Sequence, residues 1–393
     1  MNRKKELLFT CIVVGFFGLL FFGMAELYFR IFNPQLPAFL RPDPVVGTMH
    51  FADYTVRQNN TCIKAVTRFN HEGMHDIDHS VEKPKGVYRI AVIGDSYVEA
   101  MQFPLEQAYF KVMERELQEK GYEVEVLAFG VGGFGTLQEY YLLRDYALKY
   151  QPDLVILSFL PYNDIRNNSF ALEKSLDMPY ATLDEEGKLV FPEFKLRPEY
   201  VAAFESPLRT LIFDHSHTVR FLYRLSNYSV PFRNFLAFFN LHTPVTEGGQ
   251  VQDISEEVYR VDVPQQWSEA WKVTEALITK IKEESEKHGA SFMMFSLSSD
   301  TQLLPEVFER IQAKYPGVIM DNELPEKRLR SFSEREDILY LSALPTMKKA
   351  IEKGVEVHPP CHGHWSVKAS QFGGVLLSRF VEKHFFSQNK ESR

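Results

Sequence analysis

The sequence predicts an α/β fold: a three-layer α/β/α sandwich built on a mostly parallel sheet, preceded by one N-terminal transmembrane helix. Three observations predict it. Short apolar runs rich in β-branched residues, VYRIAVIG (87–94), EVEVLAFG (123–130) and DLVILSFL (153–160), have the pattern of strands buried on both faces. Between them lie stretches with apolar positions at helical spacing, EQAYFKVMERELQEK (106–120) and TLQEYYLLRDYALKY (136–150). Strand and helix in alternation imply a parallel sheet covered by helices. The third observation is LLFTCIVVGFFGLLFFGMA (7–25), an uncharged run near the N-terminus.

That run comes first in the chain. At ~1.5 Å rise per residue it makes about 28 Å of helix, close to the hydrocarbon thickness of a bilayer. Arg3, Lys4 and Lys5 precede it, and positive flanks stay in the cytoplasm. The expectation is a single span with the N-terminus inside and the bulk of the chain extracytoplasmic. Gly23-Met24-Ala25 is a fair small-x-small site, so a cleaved signal peptide is the alternative.

Residues 32–85 carry Pro34, Pro37, Pro42 and Pro44 and no strong periodicity, and read as a linker that wraps onto the following domain. The helix at 106–120 is closed by Gly121, a good C-terminal stop. The α/β rhythm breaks at about 165–262, where a hairpin-like DEEGKLVF precedes a long aromatic helical region; this reads as an insertion. The rhythm resumes with a helix at 266–288, a strand at 291–298, a helix at 302–314, a short strand near 337–342 and a last helix at 367–385. The expected domains are 1–31 for the cytoplasmic tip and anchor, 32–85 for the wrapping segment, and 86–393 for the α/β domain with its insertion.

Composition narrows the function. The 393 residues carry a net charge of −8 and no basic stripe, which argues against nucleic acid as a partner. Cys11 lies in the apolar run, leaving Cys62 and Cys361 as a possible disulfide in an exported chain. Cys361 and its neighbouring histidines form one compact group, not a four-ligand metal set, so no metal is expected. Gly130, Gly132 and Gly135 satisfy G-x-G-x-x-G after a strand. A ribose-binding acid is missing from the next strand end, apart from Asp164, so no nucleotide cofactor is expected.

In parallel α/β sheets ligands bind beyond the carboxyl ends of the strands. Those ends carry Gly94-Asp95-Ser96, then Gly130-Val131-Gly132-Gly133-Phe134-Gly135, then Pro161-Tyr162-Asn163-Asp164. Cys361-His362-Gly363-His364-Trp365-Ser366 precedes the final helix. Together they supply a hydroxyl to attack, an imidazole to take its proton, and backbone and carboxamide N–H groups to hold an oxyanion. Those are the parts of an acyl-transfer site. Asp95 reads as supporting, its side chain bonding nearby loop N–H groups.

IGDSYVEA, GVGGFGT, YND and HGHWS, in this order, resemble the four signature blocks of the SGNH/GDSL hydrolases, over about residues 87–165 and 266–385. RFNHEGMHD (68–76) is similar to a segment of membrane-anchored relatives. The resemblance implies the SGNH (flavodoxin-like) sandwich and ester hydrolysis through an acyl-enzyme. It makes Ser96 the nucleophile and His364 its base, with an oxyanion hole formed by Ser96, Gly133 and Asn163. Topology and resemblance together suggest O-acylated envelope glycan or lipid as substrate. Two positions depart from the family pattern. Asp usually stands two or three residues before the histidine, where this chain has His362 and Cys361, and Glu352 and Glu356 are the nearest upstream acids. Pro161 stands where the third block usually has Gly. The alternatives are an O-acetyltransferase of an envelope polysaccharide, using the same residues, and a catalytically silent envelope binding protein.

Overall fold

The computed structural model describes residues 3–60, 62–226, 229–239, 242, 254–361 and 363–387. The uncharged run lies inside α1 (Arg3–Phe32), whose segment Lys5–Phe32 is long and apolar enough to cross a membrane and has none of its most apolar window buried. The wrapping segment holds short strands: β1 (Leu40–Asp43) pairs antiparallel with β2 (Gly47–His50), and β3 (Thr55–Asn59) with β4 (Lys64–Arg68) makes a second two-stranded sheet. Cys11 is free and exposed, whereas Cys62 and Cys361 are disulfide-bonded.

The α/β series follows as β5 (Tyr88–Gly94), α2 (Ser96–Glu99), α3 (Tyr109–Glu119), β6 (Val124–Gly130), α4 (Thr136–Leu142), β7 (Leu154–Phe159), α5 (Asp164–Asn167) and α6 (Phe170–Glu173). The region read as an insertion opens with β8 (Thr182–Leu183) and β9 (Leu189–Val190), the two arms of the hairpin. Next come α7 (Pro198–Glu205), α8 (Pro207–His215), α9 (His217–Ser226) and α10 (Val230–Phe238). The chain then returns with α11 (Gln265–Lys287), β10 (Ser291–Ser296), α12 (Asp300–Leu303), α13 (Pro305–Lys314), α14 (Leu324–Arg335), β11 (Leu339–Ser342), α15 (Leu344–Glu352) and α16 (Val367–Val381).

Two compact units result. One comprises residues 1–39, 56–64 and 197–250; the other comprises 40–55, 65–196 and 251–393. The larger unit is organised by a five-stranded sheet in the order β11-β10-β7-β5-β6, every pair parallel. Counted by their order in the chain, the strands run 2-1-3-4-5 from the β6 edge, the flavodoxin-like order, with its switch point between β5 and β7.

Side chains alternate across that sheet, as the two-residue strand period requires. Ala91, Ile93, Leu127, Phe129, Val155 and Leu157 join one core with Leu137 of α4 and Trp271 and Ile278 of α11. Ile90, Val92, Val126, Leu154 and Ile156 join the other with Phe110 of α3, Met347 of α15 and Leu377 of α16. These are the three layers. The edge strand β6 is shielded at its open side: Asp76 Oδ2 accepts from Ala128 N–H at 2.8 Å, and Lys111 Nζ donates to Val126 O at 2.6 Å. Lys111 and Asp76 also pair at 2.9 Å. The RFNHEGMHD segment thus occupies an edge that would otherwise offer free ladder groups.

The smaller unit joins the end of α1 to the inserted helices. Glu26 accepts from Ser216 Oγ at 2.8 Å and from the backbone N–H groups of His217 and Thr218 at 3.1 and 2.9 Å. Phe29 packs against Phe221 with ring centroids 4.4 Å apart and planes tilted by 31°.

Candidate active site

Gly94 closes β5 because nothing larger fits. A Cβ there would lie 2.6 Å from Val98 Cγ2 and 2.9 Å from Ser158 O. The chain turns at once into α2, capped by Asp95, whose Oδ1 accepts from Tyr97 N–H at 2.9 Å. This sets Ser96 at the first position of α2, at the carboxyl end of a strand beside the switch point.

His364 reaches it from the segment before α16. Its Nε2 lies 2.8 Å from Ser96 Oγ. Four contacts fix that segment. Trp365 is buried and donates Nε1–H to Ser298 O at 3.2 Å. Ser366 caps α16 by accepting from Ala369 N–H. Its own N–H donates to Val357 O at 2.7 Å, and its hydroxyl to Glu356 O at 2.7 Å. Glu356 therefore supports the histidine's segment through its backbone carbonyl. From the other side the Tyr97 hydroxyl stands 3.2 Å from His358 Nε2 and 3.4 Å from Gly363 O, and the Tyr97 ring lies 5.1 Å from the His364 ring. The residue after the serine thus braces the loop that carries the histidine.

Asn163 enters from the end of β7. Its Nδ2 donates to Asp95 Oδ2 at 3.0 Å across the switch point. A carboxamide has two N–H bonds, so one remains for a ligand. Asn163 also immediately precedes α5, and the last residue of that helix, Asn167, donates Nδ2–H to Gly133 O at 2.8 Å. Gly133 has φ +80° and open space where a Cβ would stand, leaving its backbone approachable. Ser96 and His364 are thus in direct contact, Asp95 and Asn163 are in direct contact, and Gly133 is tied to them through α5.

The other glycines of the second block are used up in packing. A Cβ on Gly130 would meet Glu99 N at 2.6 Å, one on Gly132 would meet Glu99 Oε2 at 2.8 Å, and one on Gly135 would meet Asn167 Cβ at 2.9 Å. Their spacing reflects close approach of α2 and α5 to the loop. Glu99 is itself held by His50, whose Nε2 lies 2.6 Å from Glu99 Oε1.

The sequence points to Asp95 as a supporting residue but not to the acids buried with it. Asp95, Glu139 and Asp164 are all fully buried. Burial pushes Asp95 up to about 6, against the opposing pull of the Tyr97 and Asn163 donors. Burial, and then the charge of Asp95, raises Glu139 well above the usual carboxylate range; Asp164 rises for the same reason, with Glu139 and Asp95 both adding to it. Both carboxyl oxygens of Glu139 lack a hydrogen-bond partner among the described residues. Three carboxylates in one dry region repel, which favours the protonated forms of Glu139 and Asp164. A raised folded pKa means stability present on the acid side and lost as pH rises from the ordinary carboxylate range through the folded value. Glu139→Gln removes that slope. Its melting temperature should match the wild type in mild acid and exceed it increasingly toward alkaline pH, as read by calorimetry across a pH series.

A serine at the end of the first sheet strand thus stands 2.8 Å from a histidine before the last helix, on a parallel 2-1-3-4-5 sheet. The chain has a flavodoxin-like α/β/α sandwich fold. Among solved structures it is similar to an acetyl xylan esterase at 11% identity and TM-score 0.38, covering 75% of this chain and 99% of that one. A GDSL-like lipase from Bacteroides thetaiotaomicron matches at 9% identity and TM-score 0.32, over 78% and 92% of the two chains. A catalytic mutant of an acetylxylan esterase from Geobacillus stearothermophilus matches at 10% and 0.35, over 75% and 93%. No family model matches the sequence, and no curated protein matches it. Those activities belong to those proteins.

Proposed function

We propose that the protein is a membrane-anchored serine ester hydrolase whose larger unit works outside the membrane. The observation that carries the reading is the contact of His364 Nε2 with Ser96 Oγ at 2.8 Å. Ser96 Oγ attacks the ester carbonyl carbon while its proton passes to His364 Nε2. The carbonyl oxygen becomes an oxyanion, and the N–H groups of Ser96, Gly133 and Asn163 stabilise it. The carbon–oxygen bond to the leaving alcohol then breaks, and that alkoxide takes the proton from His364. Water repeats the sequence on the acyl-serine, releasing the acid and restoring Ser96.

Asp95 keeps Asn163 in place in this scheme and takes no proton from substrate. The apolar surface of α1 and the cations that precede its uncharged run support an anchored chain with its bulk on the far side. That location favours an O-acylated envelope glycan or a lipid ester as substrate.

The test is hydrolysis of a nitrophenyl acetate by the full chain in detergent, with labelling by a fluorophosphonate. Wild type should turn over and label; Ser96→Ala should do neither. A wild type that neither turns over nor labels overturns the proposal.

A further inference from the structure

Resting on the reading of α1 as a membrane anchor, we propose that α8, α9 and α10 form a collar lying in the outer interface of the bilayer that α1 crosses, with Phe235, Phe238 and Phe239 among the lipid.

The uncharged stretch from Leu7 to Ala25 accounts for about 28 Å of helix, a full hydrocarbon thickness. Glu26 is therefore placed at the outer hydrocarbon boundary. The helix runs on through Leu27, Tyr28, Phe29, Arg30, Ile31 and Phe32, a mixture of aromatic and cationic side chains suited to the headgroup level. It is at this level that the inserted helices attach. Glu26 accepts from Ser216 Oγ and from the N–H groups of His217 and Thr218, fixing the start of α9. Arg30 pairs with Glu26 at 2.7 Å and donates to His215 O, fixing the end of α8. Gln35 N–H donates to His217 Nδ1 at 2.9 Å, and Arg220 Nη1 to Gln35 O at 3.1 Å. Phe29 packs against Phe221. α8 and α9, fixed by these bonds to the boundary of a membrane span, share its depth, and α10 packs on α9 within the same unit.

Their surfaces match that depth. Phe238 is 82% exposed, Phe235 58% and Leu211 63%, with Phe239, Leu222 and Leu225 also exposed. α10 reads VPFRNFLAF, with one charged residue in nine. Phenylalanine and leucine on short helices with few charges are the make-up of an interfacial segment. Lipid is the occupant because the surface continues that of α1: Leu27, Ile31 and Phe32 are exposed on the turns that hold α9. The bilayer that covers those side chains reaches the collar.

The full chain, reconstituted in phosphatidylcholine vesicles brominated at shallow or deep acyl positions, tests this by tryptophan quenching. Phe238→Trp changes an exposed side chain, and circular dichroism melting checks that it folds. The native Trp267, Trp271 and Trp365, all buried, set the background. Phe238→Trp should be quenched at least twofold more than wild type, more by shallow bromines than by deep ones. Phe17→Trp should respond to the deep ones. Quenching of Phe17→Trp with wild-type behaviour for Phe238→Trp would leave the anchor standing and overturn the collar. Absence of quenching at both positions would overturn the anchor and the collar with it. Quenching of Phe238→Trp that vanishes as the protein-to-lipid ratio rises would assign the face to a second copy of the chain and overturn the lipid assignment.

Discussion

His364→Ala is expected to lower kcat/KM for ester hydrolysis by ~10⁴- to 10⁶-fold, close to the loss for Ser96→Ala, because a nucleophile and its base act as one unit. The physical reason lies in the 2.8 Å contact. A serine hydroxyl is a poor nucleophile until a neighbouring group takes its proton, and two other basic groups near it among the described residues are committed. His358 faces the Tyr97 hydroxyl at 3.2 Å. Asp95 accepts from Tyr97 N–H and from Asn163. The residual rate should also change character. In the wild type the base must be neutral, so kcat/KM rises with pH through its ionisation; the alanine variant loses that limb. Steady-state kinetics from acid to mildly alkaline pH, with fluorophosphonate labelling as a second readout, would check both points. A variant that kept a tenth of the wild-type rate would remove His364 from the chemistry.

Much of this was legible before any coordinates. The strands announced themselves because both faces of β5, β6 and β7 are buried, which forces unbroken apolar runs. The four blocks stood at strand ends and at a helix start, where the sheet order brings them to one crevice. Other elements were hidden for physical reasons. α14, LPEKRLRSFSER, and α15, LPTMKKAIE, each begin with proline at their second position and show one narrow apolar side, a weak signal in a charged stretch. The expected single helix at 302–314 is two, α12 and α13, because Pro305 starts a new helix and lacks the N–H to continue the old one. The expected helix at 136–150 keeps α-geometry only to Leu142, then widens over Leu143–Ala147 and tightens over Leu148–Tyr150.

At the site, residue types and order named Ser96, Gly133, Asn163 and His364, but not what braces them. The Tyr97 hydroxyl reaches a backbone carbonyl 266 residues away, and nothing in the local motif encodes that partner. Burial of Glu139 and Asp164 was invisible for a related reason. A sequence shows that an acid is present, not that cations are absent around it. The missing acid before His364 was read as a gap in the motif. The structure supplies Trp365, Ser366 and Tyr97 as anchors for that segment instead.

Asn163→Asp is expected to be the second most damaging change, and it separates binding of the oxyanion from upkeep of the site. The side chain keeps its shape and loses both N–H donors. Removing one oxyanion donor costs on the order of 10²- to 10³-fold in kcat, so Asn163→Asp and Asn163→Ala should both fall by about that factor, with KM for a small ester little changed. Their stabilities should part company. In the aspartate variant a second carboxyl oxygen stands where Nδ2 now lies 3.0 Å from Asp95 Oδ2. Burial already pushes Asp95 up to about 6, and two carboxylates this close cannot both ionise. The pair holds one proton, an O–H···O bond replaces the N–H···O bond, and the loss of the second proton is pushed above 6. A folded pKa raised above the unfolded one gives stability that is present in acid and lost as pH rises through the folded value. Asn163→Asp should thus melt near wild type at about pH 5 and fall away from it above neutrality. Asn163→Ala adds no second acid; it only frees Asp95 from the downward pull of the Asn163 donor, so its offset should grow with pH much less than that of Asn163→Asp. Calorimetry of the two variants at matched pH, beside their kcat values, would show parallel losses of rate and divergent losses of stability. If the stability of Asn163→Asp proved independent of pH, Asn163 and Asp95 would not be the buried partners described, and the route by which Asn163 is held toward the oxyanion would need another anchor.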